Sequence, residues 1–207
     1  MNFKMVKPIA EYRRKEILEA ALSAINRHGL SKVSYDLIAE EASTSRQLIR
    51  HYYPKLEPLM VDIVETITES YRQLVINDIN SIKSAQRLSI MMDFFFGQLQ
   101  DRQLPPSMSF DSMFALANNS EPIRQAMHTT HQILSETFQN ELRVCYPTLP
   151  LKVYQELGHQ FVSLITGHWR MVSSLGMSDK YTSVSRKAMD RLIQSYLDEH
   201  KVQVNNG

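Results

Sequence analysis

The sequence predicts an all-α protein, and three observations carry that expectation. Apolar residues recur at helical spacing along most of the 207 residues, the runs are interrupted by Pro, Gly and Asn, and no strand-like alternation survives between the interruptions. Two parts are expected. Residues 1–56 should form a three-helix helix-turn-helix domain and residues 57–207 a helical bundle, for which a hydrophobic content of 43% is ample.

The first helix should run from roughly Ile9 to Arg27, with Leu18, Ala21, Leu22 and Ile25 on one face, and stop at Gly29, a residue suited to the left-handed helix end. Lys4, Lys7, Arg13, Arg14 and Lys15 make its start basic, as in an arm that touches phosphates or simply an exposed helix start. The next stretch, Ser34 to Tyr53, has the spacing of two short helices crossing at a tight turn. Ile38 and Ala42 give the first of them a buried edge, Ala39 allows a close crossing, and Ile49 and Tyr52 supply the facing edge. Ser34 and Ser45 are N-caps whose hydroxyls accept orphan amides, with Asp36 favoured in the first turn by the helix dipole. Ser43 falls where the chain turns.

Arg46, Gln47 and Arg50 are left pointing outward on the second short helix, beside Leu48 and His51. These residue types read the major groove: Arg pairs with guanine, Gln with adenine, and an apolar side chain meets the thymine methyl. The alternative is a solvated helical hairpin in a binding or scaffold protein without specific DNA affinity.

Beyond Tyr53-Pro54, Pro58 suits a first helical turn, and Met60, Ile63, Val64, Ile67, Tyr71, Leu74 and Val75 continue one face for about five turns. Further helices are expected near 84–102, 107–117, 121–145, 151–174 and 182–199, separated at Leu104-Pro105-Pro106, at 118–122, at 146–150 and at Gly176. The 151–174 helix is apolar on more than one side, with Leu157, Phe161, Leu164, Ile165 and Val172 on one stripe and Val153, Val162 and Trp169 extending it. Burial on two sides is the consequence. Paired with the last helix it predicts a four-helix homodimer interface through Phe161, Ile165, Trp169, Leu192 and Tyr196.

Met91, Phe95, Phe110, Met113, Phe114, Met127 and Phe138 are core residues by pattern, and as a group they are also the candidates for an effector pocket. Adaptable Met and rigid aromatic surfaces suit apolar or cationic molecules.

No phosphate loop, nucleophile elbow, His-Glu-x-x-His or paired-Cys motif occurs, so the sequence predicts no enzyme and no cofactor. Glu156 with His159, and His128 with His131, lack the further ligands that a metal site needs, and no metal is expected. The single Cys145, with neither a signal-peptide core nor a spanning apolar run, predicts a cytoplasmic protein with no membrane partner. Net charge is +1, but residues 1–59 hold 10 Lys+Arg against 7 Asp+Glu, a net of +3 in the part expected to meet DNA.

Arg14, Ile17-Leu18, Ala20-Ala21, His28-Gly29, Val33-Ser34, Ile38-Ala39, Ala42, Ser45, Ile49, Tyr52-Tyr53 and Leu59 fall on the pattern of the TetR family, and the stretch from Arg14 to Leu59 resembles its DNA-binding domain. Departures are Ser43 for the usual turn Gly, Thr44 for Val, Arg50 for Tyr, and Leu56 where Lys usually opens the fourth helix, with Lys55 one place earlier. The resemblance implies a homodimeric transcriptional repressor that binds an inverted repeat of double-stranded DNA and is released by a small-molecule effector. It assigns DNA contacts to Ser34, Tyr35, Thr44, Ser45, Arg46, Gln47, Leu48, Arg50, His51, Tyr52 and Lys55. Leu164 to Arg170 is in turn similar to the C-terminal segment of choline-responsive repressors of betaine synthesis, which implies a quaternary-ammonium ligand.

Overall fold

The computed structural model describes residues 6–79, 84–97, 113–177 and 180–205, and among them every regular element is helical. Helix α1 (Val6–His28) is followed by a 3-10 turn at Leu30–Lys32, then α2 (Tyr35–Glu41), α3 (Arg46–Tyr52), α4 (Leu56–Ile79) and α5 (Ser84–Phe95). A short helical stretch at 113–117 precedes α6 (Glu121–Cys145), α7 (Leu151–Trp169) and α8 (Lys180–Asn205). Lys4, Phe110, the Leu104-Pro105-Pro106 break and the side chains of Tyr71, Leu74 and Val75 lie outside the described residues.

Several boundaries differ from the sequence expectation for local reasons. The helix expected near 84–102 stops at Phe95, because Gly97 takes φ 69 and its amide turns back to the Phe94 carbonyl at 3.1 Å. A Cβ there would meet the Trp169 ring at 3.2 Å, so the glycine also makes room for that ring. Helix α7 does not end at Trp169 but passes into a π-helical turn, Arg170–Ser174, closed by the Leu175 amide on the Arg170 carbonyl at 3.1 Å.

The chain divides into two compact units, one of Met1–Glu69 with Met108–Met127 and one of Ser70–Ser107 with His128–Gly207. In the first, α1 buries Ile17, Ala20, Ala21, Ala24 and Ile25, while Leu18 and Leu22, expected on the buried face, are only partly covered. Small side chains at 20, 21 and 24 let neighbouring backbones come close. Glu41 of α2 is tied to α1, accepting from Ser23 Oγ at 2.9 Å and from Arg27 at 2.8 Å. The Ser23 hydroxyl first, and Arg27 after it, hold the Glu41 carboxyl below the usual carboxylate range. The fastening is present above the unfolded carboxylate range and is lost as pH falls through the depressed value.

The second unit is built round aromatic rings. Phe161 of α7 stacks on Phe138 of α6 at 4.2 Å and 5°, and Phe95 meets it edge-on at 5.5 Å and 86°. Met91, Leu142, Leu157, Val162, Ile165, Met189 and Ile193 close the cluster. Gly158 permits the approach of α6 to α7: a Cβ there would stand 2.5 Å from Ser135 Oγ and 2.9 Å from Gln139. Arg186 of α8, 9% exposed, donates to Asp93 Oδ1 of α5 at 2.8 Å and to Ser89 Oγ at 3.2 Å, with Asp190 also beside it.

Candidate nucleic-acid interface

The reading surface is made by backbone geometry that the local sequence enforces. Ser34 is extended, at φ −145 and ψ 163, and its Oγ accepts the Leu37 amide at 3.3 Å to start α2. At the other end the Thr44 amide returns to the Ala39 carbonyl at 2.9 Å and the Ser43 amide to Glu40 at 3.0 Å. This pair of bonds is a Schellman ending, which requires a left-handed residue at its corner. Ser43 occupies that corner at φ 48 and so carries the strain a glycine would avoid. Ser45 then caps α3, its Oγ accepting the Leu48 amide at 3.2 Å.

Helix α3 is seated by Ile49, fully buried, and by Tyr53, 1% exposed. The sequence pattern had placed Tyr52 on this inner edge, but Tyr52 is half-buried and Tyr53 takes the role. Tyr53 lies one turn beyond Ile49, with its amide on the Ile49 carbonyl at 2.9 Å, so it shares the Ile49 face. Its hydroxyl donates to Asp62 Oδ2 of α4 at 2.6 Å, and the Arg14 guanidinium stands 5.3 Å over its ring. Burial, then the Asp62 carboxylate, push the Tyr53 hydroxyl above its ordinary pKa and keep it a donor. Ala42, also expected on the buried edge of α2, is partly covered, while Ile38 and Ala39 are buried.

Arg46, Gln47, Arg50 and His51 are exposed on α3, with Ser45 and Lys55 exposed beside it. Ser34, Tyr35, Thr44, Leu48 and Tyr52 are partly covered round the same surface. Arg46 Nη1 lies 3.1 Å from Asp36 Oδ2, and the Arg50 guanidinium lies 5.4 Å over the Tyr35 ring. Sequence reasoning assigned Asp36 only to the helix dipole and did not find this contact. Tyr53 and Asp62 were missed as well, although the spacing 45, 49, 53 carried the signal for the former.

Residues 17–61, from the middle of α1 to the first turns of α4, match the bacterial regulatory proteins of the tetR family. The chain carries the helix-turn-helix domain of that family's transcriptional regulators. The HTH-type transcriptional regulator BetI of Escherichia coli O17:K52:H18 (strain UMN026 / ExPEC) is 26% identical over 161 residues, 76% of this chain and 80% of BetI. A TetR transcription regulator from Haloarcula marismortui ATCC 43049 superposes with a TM-score of 0.76 at 15% identity, covering 89% of this chain and 98% of its own. A transcriptional regulator from Saccharomonospora viridis, crystallised with choline, gives 0.70 at 18% identity over 89% and 96%. These two share the fold.

The regulator's other expected sites are placed as follows. Phe161 and Ile165, assigned to a dimer interface, are 0% and 4% exposed inside the chain's own core, where α7 turns them toward α5 and α6. They present no free surface to a partner. Trp169 is half-buried with its Nε1 donating to the Phe95 carbonyl at 2.7 Å, and Leu192 and Tyr196 are partly buried against the same core. The effector set is divided: Met91, Phe95 and Phe138 are buried in the second unit, Met113 and Met127 in the first, and Phe114 is partly covered. A cavity of ≈ 290 Å³ lies elsewhere, between α7 and α8, lined by Ser163, Leu164, Gly167, His168, Met171, Val172, Met177, Tyr181, Val184 and Ser185. His168 is 5% exposed, with Nδ1 3.1 Å from Ser185 Oγ and no partner for Nε2 among the described residues, and burial lowers its pKa.

Among the described residues no three His, Cys, Asp or Glu side chains gather as for a metal ion, and no helix is long and apolar enough to cross a membrane. The family is one of regulators and not of enzymes.

Proposed function

We propose that this regulator is a repressor in which residues 1–56 bind DNA and residues 57–207 dimerise and receive a small-molecule effector. The observation that carries the DNA half is the outward face of α3, where Arg46, Gln47 and Arg50 are exposed on a helix whose other face is anchored by Ile49 and Tyr53. A reading helix needs that combination, since base contacts demand outward-facing polar side chains on a support that does not move. A gel shift against duplex from the regulator's own upstream region tests the reading, with sequence-indifferent binding the result that overturns it. Arg46→Ala and Gln47→Ala should each weaken specific binding by about 1–3 kcal/mol with circular dichroism unchanged.

A second copy is the partner we place on the α7–α8 face. Met171, Val184 and Tyr181 are 52%, 55% and 42% exposed there, and a Cβ on Gly167 would meet nothing within 4 Å among the described residues. Apolar side chains left open beside a small-residue gap are what a facing pair of helices would cover. Two heads held by such a dimer call for an inverted-repeat operator with half-sites about one DNA turn apart or a multiple of it. Val184→Glu should weaken self-association by about 30-fold, roughly 2 kcal/mol, in sedimentation equilibrium. Unchanged association would remove this face from the interface.

The effector reading draws on the relative crystallised with choline and on the Met and aromatic interior of the second unit. A hundredfold loss of DNA affinity on effector binding requires about 2.7 kcal/mol of coupling, and DNA must weaken the effector by the same factor. Thermal shifts with choline-like cations and with their uncharged isosteres separate a cationic effector from an apolar one.

A further inference from the structure

Two consecutive side chains at the start of α2 reach the outer face of α3. Asp36 accepts from Arg46 Nη1 with both oxygens, at 3.1 Å and 3.4 Å, and Tyr35 carries Arg50 over its ring at 5.4 Å. Arg46 and Arg50 are one helical turn apart, so their like charges repel on one face. Each is held by a different neighbour.

The Asp36–Arg46 pair contributes little to stability, because its side chains are 68% and 53% exposed and solvent screens them. Its position on the reading surface also disfavours a duplex, since a carboxylate there repels phosphates. What the contact does is fix a direction. Both hydrogen bonds use Nη1 alone, and a bidentate reading of guanine O6 and N7 needs two N–H groups, which Nη2 and Nε supply. A free arginine would instead swing to the nearest phosphate and carry no sequence information.

We propose that Asp36 is a specificity-determining positioning residue: it holds Arg46 toward guanine and withholds it from the phosphate backbone. The proposal rests on Arg46 being a base reader, so the test begins there. A duplex selected from a randomised pool by the full-length wild-type protein is titrated alongside its single base-pair variants and a non-specific duplex, at several salt concentrations. Arg46→Ala should lose the preference for a G·C pair at one position per half-site. If every preference survives, Arg46 does not read bases and the underlying assignment fails.

With that loss established, Asp36→Ala should reduce the preference at the same position by about tenfold, which is 1.4 kcal/mol. It should also bind the non-specific duplex more tightly, with a salt slope steeper by about one for each bound head, because a cation has been released to the backbone. Asp36→Asn keeps an acceptor for Nη1 and should restore most of the preference. Damage to α2 would weaken all duplexes together without steepening the slope. That outcome, or an unchanged preference in Asp36→Ala, overturns the proposal.

Discussion

Phe161→Ala is expected to cost about 4 kcal/mol of stability, in the range found when a large buried aromatic is truncated. The side chain is fully buried, and its ring is in contact with three others: stacked on Phe138 at 4.2 Å, and edge-on to Phe95 at 5.5 Å and Phe96 at 6.3 Å. Truncation removes all three contacts, and the neighbours come from α5, the turn that follows it and α6, whose backbones cannot all collapse into the gap. For a chain of this size the melting temperature should fall by about 10 °C. The same residue had a second assignment from its sequence pattern, at a dimer interface, and the experiment separates the two. A core residue gives the same loss at protein concentrations tenfold apart. A folded monomer melting like the wild-type subunit would return Phe161 to the interface.

Arg186→Met should cost about 3 kcal/mol, because the side chain is 11% exposed and its guanidinium joins α8 to α5 through Asp93 and Ser89. Removing it leaves the Asp93 carboxylate, 32% exposed, without its cation. Lys at this position should recover only part of the loss, since a single ammonium cannot match a fork that meets two acceptors on α5. Asp93→Asn in the Arg186→Met background should regain some stability by removing the uncompensated charge, which a double-mutant cycle on denaturant midpoints would read. A loss below about 0.5 kcal/mol for Arg186→Met would show that the cluster is a solvated surface pair.

Almost all of the reading unit was legible in the sequence, because its determinants are local. Ser34 and Ser45 cap helices through the hydroxyl of a residue three positions from the amide they accept, and Ser43 turns left-handed because the helix ending before it demands that conformation. Such choices depend on neighbours within one turn of chain. The error of one residue at Tyr52 arose from the same scale: two adjacent tyrosines end α3, and Tyr53, one turn beyond Ile49, is the one turned inward, where its hydroxyl meets Asp62 of α4.

The C-terminal body behaves differently. Among the described residues its helices were found within a few residues except where Gly97 stops α5 early and where α8 runs on to Asn205, the expected start near 107 lying outside them, and the aromatic and Met residues were recognised as interior. Which of them face the chain's own core was not. A helix apolar on more than one side has no phase that says which side meets a neighbour from the same chain, so α7 put Phe161 and Ile165 inward and left Ser163, Gly167 and Met171 beside an open cavity. The sequence by itself determined that there would be a capped helix-turn-helix and an all-helical body, since caps, turns and apolar period are short-range properties. Only the tertiary structure decided which face of α7 is core, and that Asp36 and Tyr35 on one helix hold the two arginines of the next, because those pairings join residues that no local rule connects.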